Sequence, residues 1–386
     1  MTNQSPFTSS QIDKIRDNFP HIDHGHTYLN HAAIAPLSNN VKKALDQFIS
    51  ERHEGPIENY EHGMEISQNT RELIAKYINA PKPEQISYTG NTSEGISAVA
   101  EGLNWNEGDE VILNDMEFPT NVHPFRALSH KGVSLNILKS EKSTITVEQI
   151  ESAITKRTRL ISISAVQFLH GFKADLKSIG AICKEHDIIF VVDAIQCLGA
   201  MPIDVQECNI DALATGGHKW LMSPLGTGFL YTSENLAKEM RPPRTGWLSV
   251  EEPWELFNYD QAWLPFAQHM EVGTPNMLGI TGMNAALKTM FDVGVNNITS
   301  QILYLTNHLM NKIKSIPDVE LINPSNEHSR LGIVTFRASN HQKPDEIVQR
   351  MKQKKITISA REGLFRISPH FYNTTDEIDK ALGELF

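Results

Sequence analysis

Through the middle of the chain, short apolar runs alternate with segments whose apolar residues fall on one helical face, from about residue 70 to 232. That alternation predicts an α/β unit built on a largely parallel sheet. Leu160 to Val166 and Ile188 to Val192 read as buried strands. Between them Asp175 can cap a helix whose Leu176, Ile179, Ile182 and Cys183 share a face. Strand, helix and strand over this length predict a right-handed parallel crossover.

The pattern changes at Arg241 to Met270, a proline-rich stretch that holds three of the five tryptophans and predicts irregular structure. From Thr281 onward it becomes α+β, with strands expected at Leu331 to Arg337, Ile356 to Ala360 and Leu364 to Ser368. Thr374 and Glu377 form a capping box for a last helix carrying Ile378, Leu382 and Leu385. A second, smaller domain follows. No internal repeat or low-complexity tract interrupts the chain.

Composition narrows the partners. At 386 residues, 40% hydrophobic and 21% charged, the chain can bury a large core. A formal net charge of -11 and the lack of a dense Lys/Arg block oppose nucleic-acid binding, so a small-molecule substrate is expected. Cys183, Cys197 and Cys208 are too few and too irregularly spaced for a disulfide framework or a zinc site, and fit a reducing compartment. His24-Gly-His26 lacks further ligands, so no metal is expected. The N-terminus lacks a basic start and apolar stretch, and no run approaches the roughly 18 apolar residues of a membrane span. A soluble, cytoplasmic protein is expected.

In open α/β sheets, ligands bind outside the carboxyl ends of the strands, so polar residues just after buried strands come first. Asp193 ends the run Ile188 to Val192, where a buried carboxylate needs a cationic partner. A protonated pyridine nitrogen would supply one; taken alone, Asp193 serves equally as a helix cap. Lys219 follows the strand-like run Ile210 to Ala214 through Thr215-Gly-Gly-His218, a turn that delivers it to the sheet edge, where desolvation lowers an amine pKa. Alone, it would be a surface lysine. Thr89 to Gly95 precedes a helical pattern whose start suits a phosphate, with Thr92 and Ser93 as added donors, or is an ordinary N-cap.

Jointly these segments resemble the class V aminotransferases of fold type I, a group that includes cysteine desulfurases, kynureninases and isopenicillin N epimerases. The resemblance runs from Tyr28-Leu-Asn-His-Ala-Ala33 to Arg366-Ile-Ser-Pro-His-Phe-Tyr-Asn-Thr374, through Thr89 to Gly95, Val192-Asp-Ala-Ile-Gln196, Gly217-His-Lys-Trp220 and Val272-Gly-Thr-Pro275. It implies a large domain with a mostly parallel seven-stranded sheet over 26–270 and a smaller α+β domain over 271–386, with 1–25 packed on the latter. It also implies pyridoxal 5'-phosphate held as a Schiff base by Lys219, with Asp193 on the ring nitrogen and Gln196 on the ring hydroxyl. Thr92, Ser93 and His218 would hold the phosphate. Thr274 resembles the residue that reaches the neighbouring subunit's phosphate, which implies a homodimer.

Departures from the family pattern bear on the reaction. Phe118, in Met116-Glu-Phe-Pro-Thr-Asn121, stands where desulfurases carry a stacking histidine; it can stack but cannot transfer protons. Arg361-Glu-Gly-Leu-Phe-Arg366 lacks the desulfurase cysteine, so a persulfide mechanism has no nucleophile. Gly216 replaces the usual serine before Gly-His-Lys, removing one hydroxyl from the phosphate contacts. Ala165 stands where many relatives carry asparagine over the cofactor, and strand alternation puts Gln167 on the same face as a substitute.

Arg366 matches the family's substrate arginine and suits a carboxylate; a structural ion pair is the alternative. His31 is a further candidate for the substrate pocket. The expected chemistry begins when an amino acid displaces Lys219 and the freed lysine removes the α-proton. Aminotransferase is the first choice, then a carbon–sulfur lyase acting by β-elimination, then an amino-acid epimerase. A non-catalytic cofactor-binding protein has no need of the Lys219, Asp193 and Arg366 set.

Overall fold

The computed structural model describes residues 4–339 and 343–386. Seven strands form the large sheet: β1 (Ile86–Thr89), β2 (Glu110–Asn114), β3 (Ser134–Leu138), β4 (Thr158–Ser164), β5 (Ile189–Asp193), β6 (Ala212–Gly216) and β7 (Gly228–Thr232). They lie in the order β1-β7-β6-β5-β4-β2-β3. The run from β6 to β3 is parallel, and β7 is antiparallel to both β1 and β6. The chain therefore has the mostly parallel α/β fold that the apolar pattern predicts.

Strands covered on both faces read as unbroken apolar runs, and the pleat sorts their residues between two cores. Phe190 and Val192 pack with Ile112 and Leu213 on one face. Ile189 and Val191 pack with Val111, Leu113 and Ala212 on the other. Between β4 and β5, Asp175 caps the helix Leu176–Glu185 by accepting from Ser178 N at 3.1 Å. Trp220, just beyond β6, is fully buried and leaves no room at Gly199, where a Cβ would lie 2.1 Å from the Trp220 carbonyl carbon.

The second sheet is antiparallel: β8 (Val319–Leu321), β9 (Val334–Ala338), β10 (Ser359–Arg361) and β11 (Leu364–Ile367), in the order β10-β11-β9-β8. Its apolar face meets Ile378, Ala381, Leu382 and Leu385 of the helix Thr375–Leu385, which starts at the expected Thr374 capping box. The strand expected over Ile356 to Ala360 is split, because the chain changes partner at Ile358. Ile356–Thr357 pairs in parallel with Thr27–Tyr28, whereas Ser359–Arg361 pairs with β11. Arg241 to Met270 contains no α-helix or named strand and ends in a 3-10 turn.

The N-terminal segment is tied to the C-terminal region by an Arg16–Glu377 ion pair at 2.9 Å and by Phe19 stacked on Tyr372. Helix Met277–Val293 contributes Met283, Leu287 and Met290 to the core beside the large sheet. The next helix, Val295–Lys314, gives Ile298 and Ile302 to that core and Leu305, Leu309 and Ile313 to the second. Packing partners thus change within 295–314.

Candidate active site

The carboxyl ends of the parallel strands open into a cleft of about 350 Å³, lined among others by Asn91, Thr92, Ser93, Phe118, Phe168, Gln196, His218, Lys219, Arg361 and Arg366. Asp193 is the last residue of β5, two residues before Ile195 in the lining, 2% exposed, with one carboxylate oxygen accepting from Ile195 N at 3.0 Å. Lys219 comes off the neighbouring strand β6 through Gly217 and His218. Desolvation pushes the Asp193 carboxyl up and the Lys219 amine down, and the attraction between them opposes both shifts. A buried acid therefore faces a buried amine whose free-base form is accessible near neutrality. That is the electrostatic setting of an amine nucleophile.

The helix Thr92–Gly102 begins at the rim of the cleft, with Asn91 capping Glu94 N. Its first backbone donors have no intrahelical acceptor. The Thr92 hydroxyl is buried without a hydrogen-bond partner among the described residues, and Ser93 Oγ shares a 2.9 Å hydrogen bond with Thr120 Oγ1. A buried orphan hydroxyl at a helix N-terminus suits an anion. His218 stands nearby with its pKa lowered by burial and by Lys219. Its ring leans on Gly216, where a Cβ would come within 3.2 Å of Nδ1, so the missing serine leaves room for this imidazole.

Gln196 is fixed from both sides: its Oε1 accepts from Trp220 Nε1 at 2.8 Å and its Nε2 donates to the Ala32 carbonyl at 3.0 Å. One amide N–H remains for a ligand. Phe118 is 44% exposed and meets Phe168 edge-on at 5.2 Å, while the Lys219 ammonium lies 5.8 Å from the Phe118 ring centre. Arg366 donates through Nη1 to the Phe168 carbonyl at 2.7 Å and through Nε to Ser359 Oγ at 3.2 Å. It is 2% exposed, with its pKa lowered to about 10 by desolvation and by Arg361. Both faces of β11 are buried, so Arg366 reaches the cleft from inside the fold and has no carboxylate partner among the described residues.

The Aminotransferase class-V family model matches residues 27–381. The chain belongs to this family. A probable cysteine desulfurase of Methanothermobacter thermautotrophicus is 29% identical over 93% of this chain and 93% of its own. An uncharacterized aminotransferase of Bacillus subtilis, YcbU, is 27% identical over 97% of each. A solved cysteine desulfurase of Thermococcus onnurineus NA1 superposes with a TM-score of 0.89, covering 98% of both chains at 24% identity, which speaks to the fold alone. The class V family is pyridoxal-phosphate-dependent. The residues present fit that group: an orphan hydroxyl at a helix start for the phosphate, a buried carboxylate for a ring cation, and a desolvated amine that interacts with that carboxylate.

Two residues expected at the class V site, Gln167 and His31, lie elsewhere. Gln167 does not line the cleft: β4 ends at Ser164, so strand alternation no longer governs Gln167, and its Nε2 donates to Glu117 at 2.6 Å. His31 is wholly buried, its Nδ1 against the Ser368 carbonyl at 2.9 Å and its Nε2 against Tyr372 Oη at 2.8 Å. Pairing of the chain around Asn30 with Ser368 draws it there and leaves neither ring nitrogen for substrate. Thr274 lines a separate cleft of about 220 Å³ with Thr89, Gly90, Thr227 and Arg244. The three cysteines are free thiols, none of which lines the first cleft.

Glu117, next to Phe118, is a functional residue that no sequence pattern singled out. It is 8% exposed and accepts from Asn114 Nδ2 at 2.6 Å, Asn121 Nδ2 at 3.0 Å, Ser164 N at 2.9 Å, Gln167 Nε2 at 2.6 Å and the Ser164 hydroxyl. Its charge raises the Asp193 pKa further. The signal available was its place three residues after the buried strand β2. Among the described residues, no helix is long and apolar enough to cross a membrane and no cluster could hold a metal ion.

Proposed function

We propose that this chain acts at the α-carbon of a small amino acid, with pyridoxal 5'-phosphate attached to Lys219, and that its reaction is transamination. The observation that carries this reading is a desolvated lysine beside a buried aspartate in a cleft that no thiol lines. Thr92, Ser93 and His218 hold the phosphate, Asp193 faces the ring nitrogen, Gln196 offers its remaining N–H to the ring hydroxyl, and Phe118 covers the ring. When bound, the cofactor supplies an electron sink that stabilises negative charge at the α-carbon.

Arg366 binds the substrate carboxylate and so aims the α-hydrogen at Lys219. Burial keeps the Lys219 amine easy to deprotonate, which lets Nζ take that proton and return it at a neighbouring carbon. Phe118 and Phe168 exclude water from that transfer while adding no proton donor of their own. Thr274 reaches the phosphate of a second subunit in a homodimer, and its exposed position on a separate cleft supports this. Three free thiols fit a reducing compartment, the cytoplasm.

A second reading, β-elimination by a carbon–sulfur lyase, is favoured by the relatives named cysteine desulfurase. Product analysis separates the two. Transamination yields an oxo acid in a single turnover and needs a second oxo acid to continue, whereas elimination from cysteine releases pyruvate and ammonia continuously. Borohydride reduction and peptide mapping locate the attachment. A label on any lysine other than Lys219, or amino acid returned unchanged except for inversion at the α-carbon, would overturn the proposal.

A further inference from the structure

The turn that presents Lys219 has four consecutive carbonyls, and each is answered. Those of Gly217, His218 and Lys219 accept from the backbone amides of Ser223 at 2.9 Å, Ala35 at 2.9 Å and Met222 at 3.0 Å. That of Trp220 accepts instead from a side chain, His370 Nε2, at 2.9 Å. Trp220 is held from two further sides. Its Nε1 donates to Gln196 Oε1 at 2.8 Å, and its ring edge lies against Gly332, where φ is 67° and a Cβ would come within 2.7 Å of Cη2. A buried carbonyl without a donor is costly, so the fourth tie of the turn depends on one imidazole 150 residues away.

The surroundings of His370 prepare it for that contact. It is wholly buried, and Nδ1 accepts from Phe371 N at 2.8 Å, so the neutral ring carries its hydrogen on Nε2 and donates it to Trp220. Its own backbone is fixed by Asn373: His370 N donates to Asn373 Oδ1 at 2.8 Å and Asn373 N to the His370 carbonyl at 3.0 Å. Asn373 Nδ2 donates in turn to Glu377 at 3.1 Å and to the Tyr28 carbonyl at 3.2 Å. Between β11 and His370, Ser368 N donates to the Leu29 carbonyl at 2.8 Å. The segment after β11 is thereby pinned to the turn that carries the lysine.

We propose that His370 is a positioning residue: its hydrogen bond to the Trp220 carbonyl sets where the Lys219 amine stands in the cleft and so how fast that amine attacks a carbonyl carbon. Lys219 is the reacting amine in the reading above, on which this inference rests. In that attack Nζ adds to the cofactor aldehyde, the carbon–nitrogen double bond forms, and the aldehyde oxygen leaves as water with both amine hydrogens. Without the His370 donor the turn shifts until the Trp220 carbonyl finds water, and Lys219 shifts with it.

The test compares His370→Met, which fills similar space without a donor, with His370→Gln, whose amide nitrogen can replace Nε2. Two probes are added to cofactor-free protein: pyridoxal phosphate, which bonds to a lysine, and pyridoxamine phosphate, which offers the same phosphate and ring but no aldehyde. In His370→Met the rate at which pyridoxal phosphate becomes fixable on Lys219 by borohydride should fall about tenfold or more, since small misplacements of reacting atoms have effects of that size. Pyridoxamine phosphate affinity should stay within about threefold, and His370→Gln should recover most of the rate. Competitive acetylation of Lys219 in the cofactor-free protein, read by peptide mapping, should also change in the Met variant and return in the Gln variant. Unchanged attachment and acetylation in folded His370→Met overturn the inference; so does a parallel loss of pyridoxamine phosphate binding, or a Gln variant as slow as Met. If His370→Met does not fold, the parent decides by nitrogen NMR: the His370 ring signals should move when pyridoxal phosphate attaches and stay when pyridoxamine phosphate binds, and signals alike in both complexes overturn the inference. Attachment at another lysine in the parent sinks the enzyme reading, and the acetylation of Lys219 still decides whether His370 positions it.

Discussion

Replacing Glu117 with glutamine changes one oxygen for an amide group in a site where every neighbour donates. In the native arrangement one carboxylate oxygen accepts from Asn114, Gln167 and the Ser164 amide, and the other from Asn121 and the Ser164 hydroxyl. The glutamine carbonyl can keep the first set. Its NH2 then meets the Asn121 amide, which is pinned because Ser162 Oγ donates to its Oδ1 at 2.6 Å. One buried donor is left facing another and the charge assistance is lost, so Glu117→Gln should destabilise the protein by roughly 2 to 4 kcal/mol, and Glu117→Ala by more. Removing the charge also relieves its repulsion of Asp193, so the Asp193 pKa should fall. The stability assay is urea unfolding, read as a lower midpoint at unchanged slope. A change below about 0.5 kcal/mol, the range of an ordinary surface substitution, would refute the claim that this carboxylate anchors the floor of the cleft.

Stability should also depend on His370, whose buried ring contacts the Trp220 carbonyl at 2.9 Å and whose pKa burial lowers from 6.5 to about 4. Between those values the unfolded chain binds a proton that the folded chain refuses, so the contribution is full above about pH 6.5 and fades as pH falls towards 4. Unfolding measured across that window should be less steep in His370→Asn than in the parent; an unchanged slope counts against the assignment. Replacing Cys183, Cys197 and Cys208 together by alanine should leave turnover within about tenfold, near 1.4 kcal/mol of barrier, because burial pushes all three thiols up and none lines the cleft. A folded triple variant with no activity would restore a persulfide mechanism.

Several site residues were legible because each follows a buried strand directly. Asp193 ends β5, Lys219 lies just past β6, and Thr92 starts the helix after β1, so hydrophobic pattern brought them into view, while the family resemblance gave them roles. The residues that went astray sit where pattern stops. Gln167 lies in a turn beyond the end of β4, where side-chain direction depends on the Glu117 network and not on alternation. His31 looked free because nothing local reveals that Asn30 bridges Ser368 across the whole length of the chain. Glu117 was visible as a letter, but its weight comes from the partners gathered around it from distant parts of the chain.

By itself, then, the sequence determined the parallel sheet, the smaller α+β unit, the capping residues and the line of polar groups at the strand ends. These are properties of short windows, where periodicity and turn chemistry act within a few residues. The tertiary structure alone decided which polar side chains face the cleft and which face each other. It split Ile356 to Ala360 between two partners, and the hairpin register set Arg361 beside Arg366. Net charge in a cleft is a sum over residues distant in sequence, and desolvation depends on what covers them, so neither can be read before the chain closes around the site.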